Sequence, residues 1–448
     1  MEARPILISA MLLAGCRDLP DHGLRDPQPP RPIQRGAQAV ALADLYVSPT
    51  GDDASSGTRS DAPLATLQAA LDRAGAGTTV HVASGTYFGQ AVTRSGGTPA
   101  HPLLIDGRGA TLDGSDLPWS QGNDQNQALL ELRHPWIRVR GLEVAHSRNT
   151  GILLAADHLT VASCSVHDTE RHGISSDTAL QLAAGGSMIQ DITLRDNEVY
   201  ATVQGGNGDG QAISLIADGF RIEGNRVHDN GDIGIDLWLG ACHGEVTANL
   251  VHDNNGGIYV DGGHDLRIDG NRVFSNNRNP NGVGTGIGVA AEDERYQTSD
   301  IWVYNNLVYD QTGLACFLWA PHDGIRGVVF AHNTLVRVAH CLSFSGGGNQ
   351  AEAVDNLGFA TDQVVVDETS DSTVRLHHNT WLMSPKGFQH PDGADFRLTA
   401  DSPAIAKGIP VPPSMDDTGH PISIAFDFAG NPYGPIPCTG AYQAPSGN

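Results

Sequence analysis

Asn197-Glu198-Val199, Asn225-Arg226-Val227, Asn249-Leu250-Val251 and Asn271-Arg272-Val273 repeat one phrase, an asparagine followed two positions on by an apolar residue. The phrase continues as Asn306-Leu307-Val308, Asn333-Thr334-Leu335 and Asn379-Thr380-Trp381, in steps of 28, 24, 22, 35, 27 and 46, the last divisible into two steps of 23 through Asn356. A second series, glycine then an aliphatic residue, runs in phase: Gly151-Ile152, Gly173-Ile174, Gly234-Ile235, Gly257-Ile258, Gly286-Ile287 and Gly313-Leu314, with Ala212-Ile213 filling the gap. Two landmarks recurring together at a period near 22 describe one coil of short strands and turns, stacked many times.

In such a stack each strand pairs in parallel with the strands above and below, and like side chains form ladders inside. Asparagine at a bend can satisfy both the backbone and its neighbour. The pattern predicts an all-β fold, a single-stranded right-handed parallel β-helix, with the hand set by the general rule for parallel crossovers. The density of Gly, Asn and Val excludes an α-solenoid. One end of the stack needs a cover, and residues 63–74, with Leu64, Leu67 and Leu71 at helical spacing, predict an N-terminal capping helix.

The rest of the 448-residue chain narrows the function. Gly 54 is about 12%, well above the usual ~7%, as a turn-rich coil requires. With 27 basic and 51 acidic residues the formal charge is −24, the wrong sign for holding phosphates, so no nucleic-acid partner is expected. Only two lysines occur, Lys386 and Lys407, so a lysine base has few candidates. At the N-terminus an apolar run ends in Leu13-Ala14-Gly15-Cys16, which resembles the bacterial lipoprotein box. The expected order is a signal peptide (1–16), a Pro-rich tether (17–44), the β-helix (45–400) and a closing segment (401–448). That order makes the chain an exported cell-envelope lipoprotein, periplasmic or surface-facing, with a lipid at Cys16 as its membrane contact; a weak secretory signal with a chance cysteine is the alternative. A monomer is expected. Of the remaining cysteines, Cys316 and Cys341 lie one coil apart and are spaced to bond; isolated buried thiols are the other reading.

The stretch Tyr46-Val47-Ser48-Pro49-Thr50-Gly51-Asp52-Asp53, the strand Val80-His81-Val82-Ala83-Ser84-Gly85-Thr86-Tyr87, and the endings Ser402-Pro403-Ala404-Ile405 and Asp427-Phe428-Ala429-Gly430-Asn431-Pro432 with Gly440-Ala441-Tyr442 resemble bacterial pectate-lyase-like β-helix proteins. The resemblance runs over nearly everything from residue 45 onward. It implies the fold; that fold hosts lyases, hydrolases, epimerases and binding proteins.

Side chains alternate along a strand, so the residue after each inward aliphatic points out. The first outward column reads Leu153, Ser175, Ser214, Asp236, Tyr259, Gly288, Ala315, and the second Ala155, Asp177, Ile216, Trp238, Asp261, Ala290, Phe317. Asp177, Asp236, Trp238, Tyr259 and Asp261 thus gather on one face, a polar and aromatic patch suited to a sugar; an ordinary solvated face is the plain alternative. Asp209 and Asp232 are 23 residues apart and Asp236 follows closely, so three hard oxygen donors predict a Ca2+ site. The wording resembles family 9 pectate lyases, whose Asp-Asp-Gly-Phe-Asp-Leu-Trp coil holds calcium; by position Asp209, Asp232 and Asp236 match ligands. Ile233 stands where the second aspartate belongs, and Gly257-Ile258-Tyr259-Val260 carries a tyrosine where that family draws its base from a lysine. Tyr259 becomes a candidate general base or acid beside Asp261.

Coil lengths place insertions after residue 174 and within 275–300, where loops could wall a groove. Trp238, Arg278 and Arg295 are the expected substrate-binding residues, the arginines for carboxylates. His167, His228 and His252 recur with the repeat, which marks scaffold rather than catalyst. Glu292-Asp293-Glu294 reads as a solvated loop. Three functions compete: a calcium-dependent polysaccharide lyase acting on an acidic glycan by β-elimination, a glycoside hydrolase using paired carboxylates such as Asp236 with Asp261 or Asp209, and a non-catalytic glycan-binding surface lipoprotein.

Overall fold

The computed structural model describes residues 44–117, 127–176, 188–203, 210–278, 284–322, 324–415 and 421–444. Within them short parallel strands form one 32-stranded sheet wound into about 11 right-handed turns. The inward ladder is continuous: Leu130, Ile152, Ile174, Ile213, Ile235, Ile258, Ile287, Cys316 and Leu342 stack coil upon coil, each essentially shielded from water. Burying each aliphatic side chain contributes about 1.5–3 kcal/mol, so repetition of one inward position supplies the core.

The asparagines do what the repeat requires. Asn197, Asn225, Asn249, Asn271, Asn306, Asn333, Asn356 and Asn379 form an unbroken column, buried except at the half-buried Asn379, in which each Nδ2 donates to the Oδ1 of the next at 2.9–3.0 Å. Each also ties the backbone: Asn249 Nδ2 donates to Ile222 O at 2.8 Å, and Asn249 Oδ1 accepts Asn225 N at 2.9 Å. A second column, unread in the sequence, joins Asn230, Asn254 and Asn276 at 2.7 and 2.9 Å and ends where Gln311 Oε1 accepts Asn276 N. The glycines mark close approach: a Cβ on Gly257 or Gly286 would lie 2.2 or 2.3 Å from the carbonyl oxygen of the next coil.

The capping helix is shorter than expected, Leu67–Leu71 rather than 63–74. Leu64 is held in a bridge with Val47, and the helix starts only after Thr66, whose side chain accepts Ala69 N. Leu64, Leu67 and Leu71 are buried over the first coil as predicted. At the other end the parallel ladder stops at Thr380–Trp381, and a hairpin of Phe388–His390 with Asp395–Leu398 follows. The closing segment then turns back, with Ala441 and Tyr442 packed on Leu307, Val336 and Leu357, and Ala441 N donating to Thr334 Oγ1.

Cys316 and Cys341 do not pair; burial pushes both thiols up, Cys341 to about 12, and the reading of buried thiols holds. Cys16 and the tether lie outside the described residues. No helix among the described residues is long and apolar enough to cross a membrane.

Candidate functional site

Register decides which side chains meet. Ser175, Ser214, Asp236, Tyr259 and Gly288 form one column, and Trp238, Asp261 and Ala290 the next, as the alternation predicted. One coil further the expected Ala315 and Phe317 are displaced by two: Phe317 pairs with Gly288 and Trp319 with Ala290. Gly313-Leu314 is not the coil equivalent of Gly286-Ile287; Ala315-Cys316 is, with the Ala315 carbonyl against Gly286. The correction brings Phe317 to the patch, where the bare Gly288 leaves room for its ring 6.0 Å from that of Tyr259. Ile233, Leu314 and Trp319 pack against the same cluster, so the residue at the position of the missing aspartate serves an apolar wall.

Asp236 is only 5% exposed and Tyr259, directly above it, 8%. Among the described residues the charged groups acting on Asp236 are all acidic, namely Asp261, Asp232 and Glu292; burial and their repulsion hold its carboxyl well above the usual range. Asp261 and Glu292 are also raised, by burial first. Tyr259 Oη donates to Glu292 Oε1, and Asp261 Oδ1 accepts Glu292 N at 2.7 Å. The phenol is raised by burial and by the Glu292 charge, so it stands as a protonated donor rather than a ready base. The indole Nε1 of Trp238 is buried without a partner in the same neighbourhood.

Glu292 is the residue the sequence reading missed, having been assigned to a solvated loop. The chain leaves the coil after Ala290, and the neck of the departing loop is tied where Thr298 Oγ1 donates to Ala290 O at 2.7 Å and accepts Gly262 N at 3.1 Å. That neck turns Glu292 back over the patch. The available signal was its place as an acid at the root of an insertion, next to the patch strand. Asp293 and Glu294 point elsewhere: Asp293 is held low by Arg295, and Glu294 lies 3.4 Å from His322.

The two arginines expected to bind carboxylates are not brought to the acids. Arg278 pairs with Asp229 at 3.3 Å, and Arg295 makes a fork on Asp293 from a side chain 62% exposed. Asp209 and Asp177 lie outside the described residues. Asp232, Asp236, Trp238, Tyr259 and Asp261 do converge.

Asp232, Asp236, Asp261 and Glu292 are the residues of this patch that could hold a hard divalent cation, which would offset their mutual repulsion.

Residues 45–308 match the family described as Pel9A-like, right-handed β-helix region. YwoF, an uncharacterised protein of Bacillus subtilis (strain 168), is 27% identical over 328 residues, 58% of this chain and 62% of its own. Pectate lyase PEL9 of Emericella nidulans is 27% identical over 243 residues, 50% of this chain and 57% of its own. The chain thus spans about three fifths of the length of these curated relatives. The crystal structure of pectate lyase Pel9A superposes with a TM-score of 0.55 at 15% identity, covering 90% of this chain and 96% of that one. The stacked coils, their asparagine column and this match over more than half its length make the chain a member of the Pel9A-like right-handed β-helix family.

Proposed function

We propose that the chain is a calcium-dependent polysaccharide lyase that cleaves a uronate-containing glycan by β-elimination. The observation that carries this reading is the buried Asp236, ringed by Asp232, Asp261 and Glu292 and capped by the Tyr259–Glu292 hydrogen bond. Asp232 and Asp236, with Asp209, would hold the calcium, which when bound neutralises the uronate carboxylate and acidifies its C5 proton. Tyr259 takes that proton while passing its own to Glu292, whose burial strengthens it as a base. Asp261, whose carboxyl burial pushes up, serves as the acid that gives the glycosidic oxygen its proton as the C4–O bond breaks and the C4–C5 double bond forms. Trp238 and Phe317 offer aromatic surface for a pyranose ring.

A panel of uronate polymers incubated with the full chain, with and without chelator, tests the reading. The expected result is ultraviolet-absorbing unsaturated product that chelation abolishes and calcium restores. Reducing ends without that absorbance would favour the second reading, a glycoside hydrolase, for which Asp236 and Asp261 on adjacent coils would be the paired carboxylates. Neither product on any glycan would overturn both.

A further inference from the structure

Beyond the corner where the site strands end, the coils carry a second cluster with different chemistry. The ladder stacks Asp218, Cys242 and His264 on three successive coils, and His243 follows Cys242. Cys242 Sγ and one ring nitrogen from each histidine all lie within 4.8 Å of one another. A tetrahedral zinc with bonds of about 2.0–2.3 Å sets its ligand atoms about 3.5 Å apart, so small side-chain movements would close these three on one ion.

Every coil turns this corner with a positive φ, Gly219, His243 and Asp265 in register among them, so the strand alternation is reset there and the Cys242 thiol and the His243 imidazole come to one side. Both histidines are also oriented by carboxylates through Nδ1: His243 by Asp218 at 2.6 Å and His264 by Asp265 at 2.8 Å. Carboxylate–histidine pairs of this kind fix the ring and raise its basicity toward a metal. Asp218 Oδ1 lies 3.7 Å from Cys242 Sγ as well, within reach of all that the site requires.

We infer that Cys242, His243 and His264 bind one divalent ion of the zinc class. Sulfur and imidazole donors select zinc, cobalt or nickel over calcium, so this ion is separate from the cation of the acidic patch. As the metal–sulfur bond forms, the Cys242 thiol loses its proton to solvent. The ion would tie two neighbouring coils at the corner just past Trp238 and Asp261, where Tyr296 packs over Gly240 and Gly262. The inference does not depend on what the acidic patch does.

The test uses the purified full chain, stripped of metal and titrated with cobalt, then with zinc. One equivalent of cobalt should bind with a thiolate-to-metal charge-transfer band and tetrahedral ligand-field bands, and zinc should displace it with release of protons. Cys242→Ser should lose the charge-transfer band and weaken zinc at least tenfold, and His264→Gln should weaken zinc about 10–100-fold. Because Cys242 is buried, a check that needs no variant is added: zinc should raise the unfolding temperature of the unaltered chain, and should do so as well when calcium is already saturating. No charge-transfer band in the unaltered chain, unchanged zinc affinity in Cys242→Ser, or an unfolding temperature unmoved by zinc would overturn the inference.

Discussion

Two faces of the same coils use the same kinds of residue to opposite ends. On one, His167, Tyr200, His228, His252, Phe274 and Tyr309 stack ring on ring, with centroids 4.6–5.3 Å apart. His228 there has both nitrogens occupied, by Asp229 at 2.8 Å and Glu198 at 3.1 Å, and Asp229 is held below the usual carboxylate range by that contact. On the other face Asp236 has only acids around it and its carboxyl is pushed up. On the first face the acids are already partnered, even though the His252 Nε2 in the stack is buried without a partner. The second is left electrostatically unfinished, and an unfinished site on a rigid scaffold is where a ligand contributes most.

The contrast breaks most visibly if the acids are removed. Asp236→Asn should lower uronate-polymer cleavage about 1000-fold while raising the unfolding temperature of the metal-stripped chain, because a buried repelled charge is replaced by a neutral amide. Tyr259→Phe should lose activity comparably yet leave calcium affinity nearly unchanged. Calorimetry beside a product assay separates the two. Full activity in either variant would show that the repulsive cluster is not where chemistry occurs.

The column that holds both faces in place comes next in size. Asn249 makes two donor contacts through Nδ2 and accepts two at Oδ1, all buried. Asn249→Ala leaves several of these partners without a replacement, which costs about 3 kcal/mol or more. Denaturant unfolding should register that loss; a cost under about 1 kcal/mol would mean that water enters the column and that its regularity is incidental.

What the sequence disclosed follows this division. A device that repeats announces itself, which is why the Asn197 to Asn379 column, the inward aliphatics and the scaffold character of His228 were all legible. The column of Asn230, Asn254 and Asn276 is equally periodic but shorter, three asparagines against eight, and its signal is correspondingly weaker. Glu292 was different in kind. Its position depends on a loop neck closed by Thr298 to Ala290 and Gly262, contacts between residues without any repeat signature. Arg278 and Arg295 differ in how legible their partners are: Asp293 lies two residues from Arg295, whereas the Asp229 that holds Arg278 is 49 residues away, a meeting no local pattern announces.

A buried histidine off the stack sharpens the point further. His172 Nδ1 accepts Gln211 N at 3.0 Å, and burial beside Arg171 pulls its pKa down to about 3. In the unfolded chain a histidine takes up its proton near pH 6.5. Between those values the unfolded state binds more protons, so stability is full above about pH 6.5 and falls as pH drops toward 3, by about 1.4 kcal/mol per unit once below the unfolded pKa. His172→Gln keeps an acceptor and should flatten that slope by about one proton between about pH 6 and about pH 4.5. Equal slopes in the two proteins would place the acid sensitivity elsewhere.

The smallest effect belongs to His228, and its smallness is the argument. Its ring lies parallel between Tyr200 and His252, at 5.3 and 5.0 Å, and the carboxylates it touches are 41% and 55% exposed. Stacked rings contribute about 0.5–1.5 kcal/mol each, and contacts to half-exposed carboxylates less than about 1 kcal/mol. His228→Gln removes one ring from a column that keeps its neighbours above and below, and the amide can still reach Glu198 or Asp229. A loss of about 1 kcal/mol in unfolding free energy with unchanged turnover is expected. A tenfold fall in turnover at full calcium occupancy would instead bring the ring column into the chemistry and erase the division between the two faces.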